Sequence, residues 1–206
     1  YTSVLRENVE ELNGLIQEIL DFRKAEDAGF SHTHIRRVSV SSLLRTQFEW
    51  FYPLSEQHQI QFKIDAPKEL YWNTDSVYFK KILANLISNA FKYTEDGGTV
   101  RISLHEEENF LVLKVYNTGK GIEEADMQNI FDRYRILGTM DNDDNRQNTT
   151  RNGLGLFICH SLVQSLGGKI DIESEVGQYA EFTVTLPFGI IEETSDDTID
   201  EDIPVS

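Results

Sequence analysis

The sequence predicts an α+β fold: a sheet covered on one face by helices, preceded by one long helix. Between about 35 and 188, runs with strand-like alternation are interleaved with stretches whose apolar residues recur every three to four positions, as in helices. Residues 1–27 show the helical repeat alone, and Gly29 follows as a stop. We therefore expect a helical segment at 1–29, a domain at 35–188 and an acidic linker or tail at 189–206.

Each element of the domain follows from its own local pattern. The alternating or apolar runs predict strands at 36–40, 60–64, 70–72, 100–104, 110–117, 169–173 and 179–186. The three-to-four repeat predicts helices at 41–57, 75–93 and 153–166, with Asp75 as an N-cap. The polar stretch 136–151 has no period, and a loop of that length in a compact domain is usually functional or disordered.

Composition narrows the class of protein. A formal net charge of −16 argues against nucleic acid as the main partner, because phosphate contacts need clustered cations. Seven of the acidic residues lie in 189–206, which reads as a solvated segment.

Cys159 is the single cysteine, so no internal disulfide forms, and its apolar surroundings predict a buried side chain. No apolar run reaches the roughly 18 residues of a membrane span, and the start at Tyr1 suggests a piece of a longer protein.

The helix expected at 75–93 carries an unusual polar face. Asn85, Asn89, Lys92 and Tyr93 recur at i, i+4, i+7 and i+8, so they share one side, opposite an apolar stripe. Two neutral amide oxygens beside a lysine suit a Mg²⁺ ion that stays bound to phosphates, because this ion rarely uses an all-protein cage. Taken alone, the pattern also fits a solvated helix face, which is the commoner arrangement.

Four further motifs follow in order along the chain. VYNTGKGI ends a strand and places Gly119 and Gly121 where backbone can approach a flat ligand closely. IFDRYR carries an aromatic residue and two arginines. RNGLGLFI reads as a glycine turn that opens a helix, whose N-terminal amides favour phosphate, and GGKIDIESEVG begins a closing hairpin. Each motif alone is weak, but their order and spacing together are specific.

With the asparagine helix, these motifs resemble the N, G1, F and G2 boxes and closing glycine region of the catalytic ATP-binding domain of sensor histidine kinases. That domain belongs to the superfamily shared with gyrase, Hsp90 and MutL. The resemblance covers 35–188, about three quarters of the chain. It implies a two-layer α/β sandwich, with a mixed sheet under about three helices and a Bergerat-type site for ATP and Mg²⁺ beneath a flexible lid. It also implies transfer of the ATP γ-phosphoryl group to a histidine.

The resemblance assigns roles to individual residues. Asn85 and Asn89 would ligate a Mg²⁺ ion that is also bound by the ATP phosphates. The rest of the implied nucleotide site consists of Lys92, Arg135 and Arg151 at the phosphates, Tyr93 along the nucleotide, Asn117, Gly119 and Gly121 at the adenine, Phe131 at the root of the lid, Asn152 near the metal, Gly153 and Gly155 in the amide cradle, and Ile122, Leu154 and Leu156 beside them.

The first segment resembles the second helix of the same family's dimerisation and phosphoacceptor hairpin. None of the five histidines has the His-Glu-x-x-x-Pro setting of the acceptor, so we expect the acceptor helix, and with it any catalytic residue, to be absent from this chain. The implied partners are the protein's own hairpin in a homodimer and a receiver domain or response regulator, with no nucleic acid. The implied location is the cytoplasmic part of an inner-membrane sensor, and the acidic tail favours a hybrid sensor.

Two positions depart from the family pattern, and both belong to the adenine end. Asn117 stands where the family has aspartate, and Ala180 where it has serine or threonine. We expect weaker or altered purine discrimination, with about 1 kcal/mol at stake per neutral hydrogen bond. A degenerate nucleotide-sensing or interaction module is one alternative. An ATP hydrolase is another, although such relatives carry a glutamate where this chain has Asn85, which takes no proton at neutral pH.

Overall fold

The computed structural model describes residues 33–127, 129–131 and 150–190, with the backbone alone at 150–154. The segments predicted at 1–29 and from 191 onwards lie outside these residues, as does Arg135. In chain order the elements are β1 (Arg36–Ser39), α1 (Val40–Gln57), β2 (Gln61–Asp65), β3 (Tyr71–Thr74), α2 (Ser76–Tyr93), β4 (Thr99–Glu107), β5 (Phe110–Thr118), α3 (Glu124–Met127), α4 (Thr150–Ser165), β6 (Lys169–Glu175) and β7 (Tyr179–Pro187).

The main sheet has five strands in the order β2-β4-β5-β7-β6. β2 pairs with β4 in parallel and the other neighbours are antiparallel, so the sheet is mixed. β1 and β3 form a separate antiparallel ribbon, which the Trp72 indole joins to the main sheet by donating to the Pro187 carbonyl at 3.0 Å. The predicted α+β fold class is confirmed.

One face of the sheet packs against the helices. The inward residues of β5 and β7 alternate with outward ones along each strand, as a period of two requires. On the opposing layer, the buried side chains of α2 are Phe79, Ile82, Leu83, Leu86, Ile87, Ala90 and Phe91. The apolar stripe expected from the sequence therefore faces the core, which leaves the opposite side of α2 for polar residues.

Asp75 fixes the start of α2. Its side chain accepts hydrogen bonds from the backbone amides of Val77 at 2.8 Å and Tyr78 at 3.1 Å, as the predicted N-cap should. The second carboxylate oxygen accepts from the His34 amide at 2.9 Å. Asp75 is buried, yet three amide donors satisfy it, so the entering chain and the asparagine helix are held at one point.

The Ser41 hydroxyl is buried without a hydrogen-bond partner among the described residues. In the unfolded chain this hydroxyl bonds to water, and folding removes that bond without a replacement. We expect Ser41→Ala to raise the free energy of unfolding by about 1 kcal/mol, measured by urea denaturation. Ser42→Ala, at an exposed neighbouring position, is the matched control and should change little. A loss of stability in Ser41→Ala alone would contradict this reading.

Cys159 lies fully buried in α4, as its apolar neighbours predicted. Burial raises the pKa of its thiol from 9.0 to about 12. The folded thiol therefore stays neutral where the unfolded one ionises, so its contribution to stability is complete below about pH 9 and is lost as the pH rises towards 12. Among the described residues, no helix is both long and apolar enough to cross a membrane.

Candidate functional site

The polar side of α2 carries the four residues singled out in the sequence. Asn85 and Asn89 are half-buried, whereas Lys92 and Tyr93 are more exposed, near the end of the helix. The Lys92 ammonium lies 5.8 Å from the centre of the Tyr93 ring, and partial burial raises the pKa of the Tyr93 phenol above its ordinary value. Two amide groups and one cation thus lie on one helix face, beside the core.

Helix α4 approaches this face at Gly155. A methyl group placed on Gly155 would lie 3.5 Å from the Asn85 Oδ1 atom, so the beginning of α4 and the middle of α2 are immediate neighbours. The asparagine motif and the second glycine motif, 70 positions apart in sequence, therefore meet in space. Leu156, predicted to contact the nucleotide, is buried in the core.

The start of α4 differs from the prediction. We expected a glycine turn followed by a helix from 153, but the helix begins at Thr150 and includes both Gly153 and Gly155. The reason is that glycine in a helix costs only about 1 kcal/mol, which packing easily overrides. The first turn of the helix is thus 150–153, and the predicted role of Gly153 and Gly155 in an amide cradle remains a prediction. The predicted roles of Arg151, Asn152 and Leu154 remain predictions.

The first glycine loop is pressed against two other elements. A Cβ atom on Gly119 would overlap the Tyr93 carbonyl oxygen at the end of α2. Gly121 has a φ of +65°, and a Cβ atom there would overlap the Glu175 carbonyl oxygen at the end of β6. Only glycine allows the backbone at 119 to approach the end of α2 and the backbone at 121 to approach the end of β6. The loop therefore lies directly between α2 and the β6–β7 turn.

Hydrogen bonds fasten this loop to the turn between β6 and β7. The Gly119 amide donates to the Gln178 carbonyl at 3.0 Å, and the Gly177 amide donates back to the Lys120 carbonyl at 2.7 Å. The Ile122 amide donates to the Ser174 hydroxyl at 2.8 Å. The loop and the hairpin therefore form one unit.

Ser174 is a residue that the sequence reasoning did not single out. Its hydroxyl accepts from Ile122 and donates to the Tyr179 carbonyl at 2.6 Å, which uses both its donor and an acceptor site. The contact to Ile122 spans 52 positions, so no local pattern could reveal it. The one available signal was a serine at an inward-facing position of a strand that ends in a glycine turn.

The two departures from the family pattern face each other directly. Asn117 on β5 is the cross-strand partner of Ala180 on β7, and both are buried on the core side of the sheet. The Asn117 Nδ2 atom donates to the Thr118 carbonyl at 3.1 Å, so Oδ1 is left as the acceptor of this amide. The pair thus offers one neutral acceptor and one methyl group.

Phe131 packs against α4 and the sheet. Its ring stacks on His160 of α4 with centroids 5.3 Å apart and meets the edge of Phe182 at 6.4 Å. These two ring contacts hold Phe131 against α4 and the sheet. Among the described residues, no group of three or more His, Cys, Asp or Glu side chains is placed to bind a metal.

These contacts bring together motifs that are far apart in sequence. Asn85 meets Gly155, and the end of α2 meets Gly119. The family model described as histidine kinase-, DNA gyrase B- and HSP90-like ATPase matches residues 74–190, which hold all of these motifs. The chain belongs to this ATPase family. It contains the ATP-binding catalytic domain found in the family's sensor histidine kinases.

Individual proteins similar to this chain are histidine kinases, in agreement with the family model. The circadian input-output histidine kinase CikA of Synechococcus elongatus is 33% identical over 190 residues, which are 91% of this chain and 24% of CikA. Full-length ShkA, crystallised with AMPPNP, is 26% identical with a TM-score of 0.74 over 92% of this chain and 38% of ShkA. ThkA, crystallised with the response regulator TrrA, shares the fold at 21% identity, with a TM-score of 0.69 over 90% of this chain and 50% of ThkA. The chain spans about a quarter to a third of the length of the curated relatives it matches.

Proposed function

We propose that this chain binds Mg²⁺–ATP and supplies the catalytic half of a sensor histidine kinase. The γ-phosphoryl group of ATP would pass to a histidine on the dimerisation hairpin of the intact protein. The observation that carries the proposal is the close approach of Gly155 to Asn85, because it brings an amide-bearing helix face beside the beginning of another helix. An amide face and free helix amides suit a metal-bound polyphosphate.

The residues present fit a Mg²⁺ ion held partly by phosphates. Gly155 leaves space beside the Asn85 Oδ1 atom that a larger residue would narrow. Asn85 and Asn89 would hold the ion through neutral oxygens, leaving its other positions to phosphate and water. When bound, Mg²⁺ neutralises the charge that develops on the phosphates during transfer.

The chain's own residues would do the positioning. The backbone amides of the first turn of α4 would lie at the positive end of that helix dipole and would orient the phosphates. Lys92 would add a positive charge near the end of α2, and Asn117 would accept from the adenine. The acceptor imidazole is the nucleophile of this reaction, so this domain needs none of its own, and positioning and charge stabilisation account for the catalysis.

The intact protein would have further parts. We propose that 1–29 is the second helix of the dimerisation hairpin and that 35–188 is the catalytic domain. The segment 189–206 would be either an acidic linker to a receiver domain or an acidic tail. The partners would be the hairpin of a homodimer and a response regulator or receiver. Support comes from the family and from CikA, which is named a histidine kinase. A location on the cytoplasmic side of an inner membrane belongs to the same proposal.

Calorimetry of this chain with ATP, with and without Mg²⁺, tests the nucleotide site. We expect binding that strengthens with Mg²⁺. The intact protein incubated with γ-labelled ATP then tests the reaction, and acid-labile label on a histidine is the expected result. Release of phosphate without labelled protein would favour the ATP hydrolase. No binding at all would favour a degenerate interaction module.

Base preference provides a separate prediction at Asn117. The Thr118 carbonyl holds the Asn117 amide with Oδ1 as the acceptor, which suits the 6-amino group of adenine and repels the 6-oxo group of inosine. Because the acceptor is neutral, we expect ATP to bind only about tenfold more tightly than ITP. In Asn117→Ala that ratio should fall close to one, measured by competition calorimetry. Equal affinities in the unmutated chain would contradict the assignment.

A further inference from the structure

The glycine loop has no secondary structure of its own between β5 and α3, so its position depends on contacts with other elements. Among the described residues, three hydrogen bonds tie residues 119–122 to the β6–β7 hairpin. Two of them join backbone to backbone and cannot be removed by substitution of a side chain. The third joins the Ile122 amide to the Ser174 hydroxyl and depends on one side chain.

Ser174 also lies in line with the base end of the site. The register places Ser174 opposite Ala180, Ala180 opposite Asn117, and Asn117 opposite Val100, so these residues form one row across the sheet. All four alternate to the side that carries the helices, and Ser174 and Ile122 are half-buried. The Ser174 hydroxyl therefore binds the glycine loop on the side of the sheet where Asn117 lies.

We propose that Ser174 is a positioning residue for nucleobase binding: its hydroxyl holds the glycine loop, through Ile122, at the spacing that the base requires. The proposal rests on the nucleotide site proposed above. Without the hydroxyl, the Ile122 amide and the Tyr179 carbonyl would each lose a partner, and a half-buried amide without a partner is costly. The loop would then move to find another partner, which would alter the surface beside the base. The phosphate end, built from α2 and α4, would keep its geometry.

The test compares Ser174→Ala, Ser174→Thr and the unmutated chain in their binding of Mg²⁺–ATP and of Mg²⁺–tripolyphosphate, which has no base. We expect Ser174→Ala to weaken ATP binding about tenfold while leaving tripolyphosphate binding unchanged. Ser174→Thr keeps a hydroxyl on a strand that tolerates β-branched residues and should restore ATP binding. Ser165→Ala, whose hydroxyl bonds within α4 to the Ser161 carbonyl, is the matched control and should bind both ligands normally.

Hydrogen exchange provides a readout that does not depend on the ligand. The Ile122 amide should exchange faster in Ser174→Ala and regain protection in Ser174→Thr. The proposal is overturned if Ser174→Ala binds ATP normally, or if it loses ATP and tripolyphosphate equally, since the latter indicates a purely structural effect. If the unmutated chain binds neither ligand, the proposed function fails and the role of Ser174 falls with it.

Discussion

Gly121→Ala is expected to lower ATP affinity more than a hundredfold and the free energy of unfolding by about 3 kcal/mol. Two costs combine at this position. The residue has a φ of +65°, which costs an alanine about 1–2 kcal/mol, and the new methyl would overlap the Glu175 carbonyl oxygen. The new methyl is fixed to the loop backbone and overlaps the backbone of the hairpin, and neither can rotate away, so the loop has to leave the hairpin. Calorimetry and urea denaturation measure the two effects separately.

Gly97→Ala is the matched control for this change. Gly97 has a φ of +79°, close to that of Gly121, but a methyl there meets no atom within 4 Å. It should therefore show the backbone cost alone, about 1–2 kcal/mol, with unchanged ATP binding. If Gly121→Ala behaved like Gly97→Ala, close approach of the loop to the hairpin would not be needed for the site.

Asn89→Ala is expected to remove the effect of Mg²⁺ on ATP binding and to weaken Mg²⁺–ATP binding about a hundredfold. Asn89 is half-buried one helical turn after Asn85, so its amide oxygen lies on the same face of α2. Alanine removes this oxygen without disturbing the helix, because alanine is the best helix former. Titration of ATP into the variant at several Mg²⁺ concentrations gives the measurement.

Two comparisons make the Asn89 result specific. Ser88→Ala changes an exposed residue of the same helix and should leave both affinity and metal dependence unchanged. Asn89→Asp keeps an oxygen and should preserve the dependence on Mg²⁺. A variant Asn89→Ala that still binds ATP more tightly with Mg²⁺ would remove Asn89 from the metal site.

The asparagine helix could be predicted from the sequence because its signals are local. An aspartate cap, an apolar stripe with a period near 3.6 and a polar face on the other side all lie within about 19 residues, and the structure has the helix at Ser76–Tyr93. The strands were predictable for the same reason. The β4–β5 turn, expected near Glu107, lies at Glu108 and Asn109, which both have positive φ.

Other features depend on distant parts of the chain and could not be predicted. The pairing of Asn117 with Ala180 depends on the register of β5 and β7, which no short window of sequence contains. The role of Ser174 depends on a loop 52 positions away. The start of α4 was misjudged because Gly153 and Gly155 suggested a turn, whereas tertiary packing can hold glycine in a helix.

The central claim is that α2, the glycine loop and the start of α4 form one Mg²⁺–ATP site. An NMR titration of the labelled chain with a non-hydrolysable ATP analogue and Mg²⁺ tests it most directly, because each backbone amide reports separately. The account predicts that shifts concentrate at Asn85 and Asn89, at Gly119–Ile122 and at Gly155, and that they saturate together with one dissociation constant. Shifts confined to the outer face of the sheet, or none at saturating ligand, would contradict it.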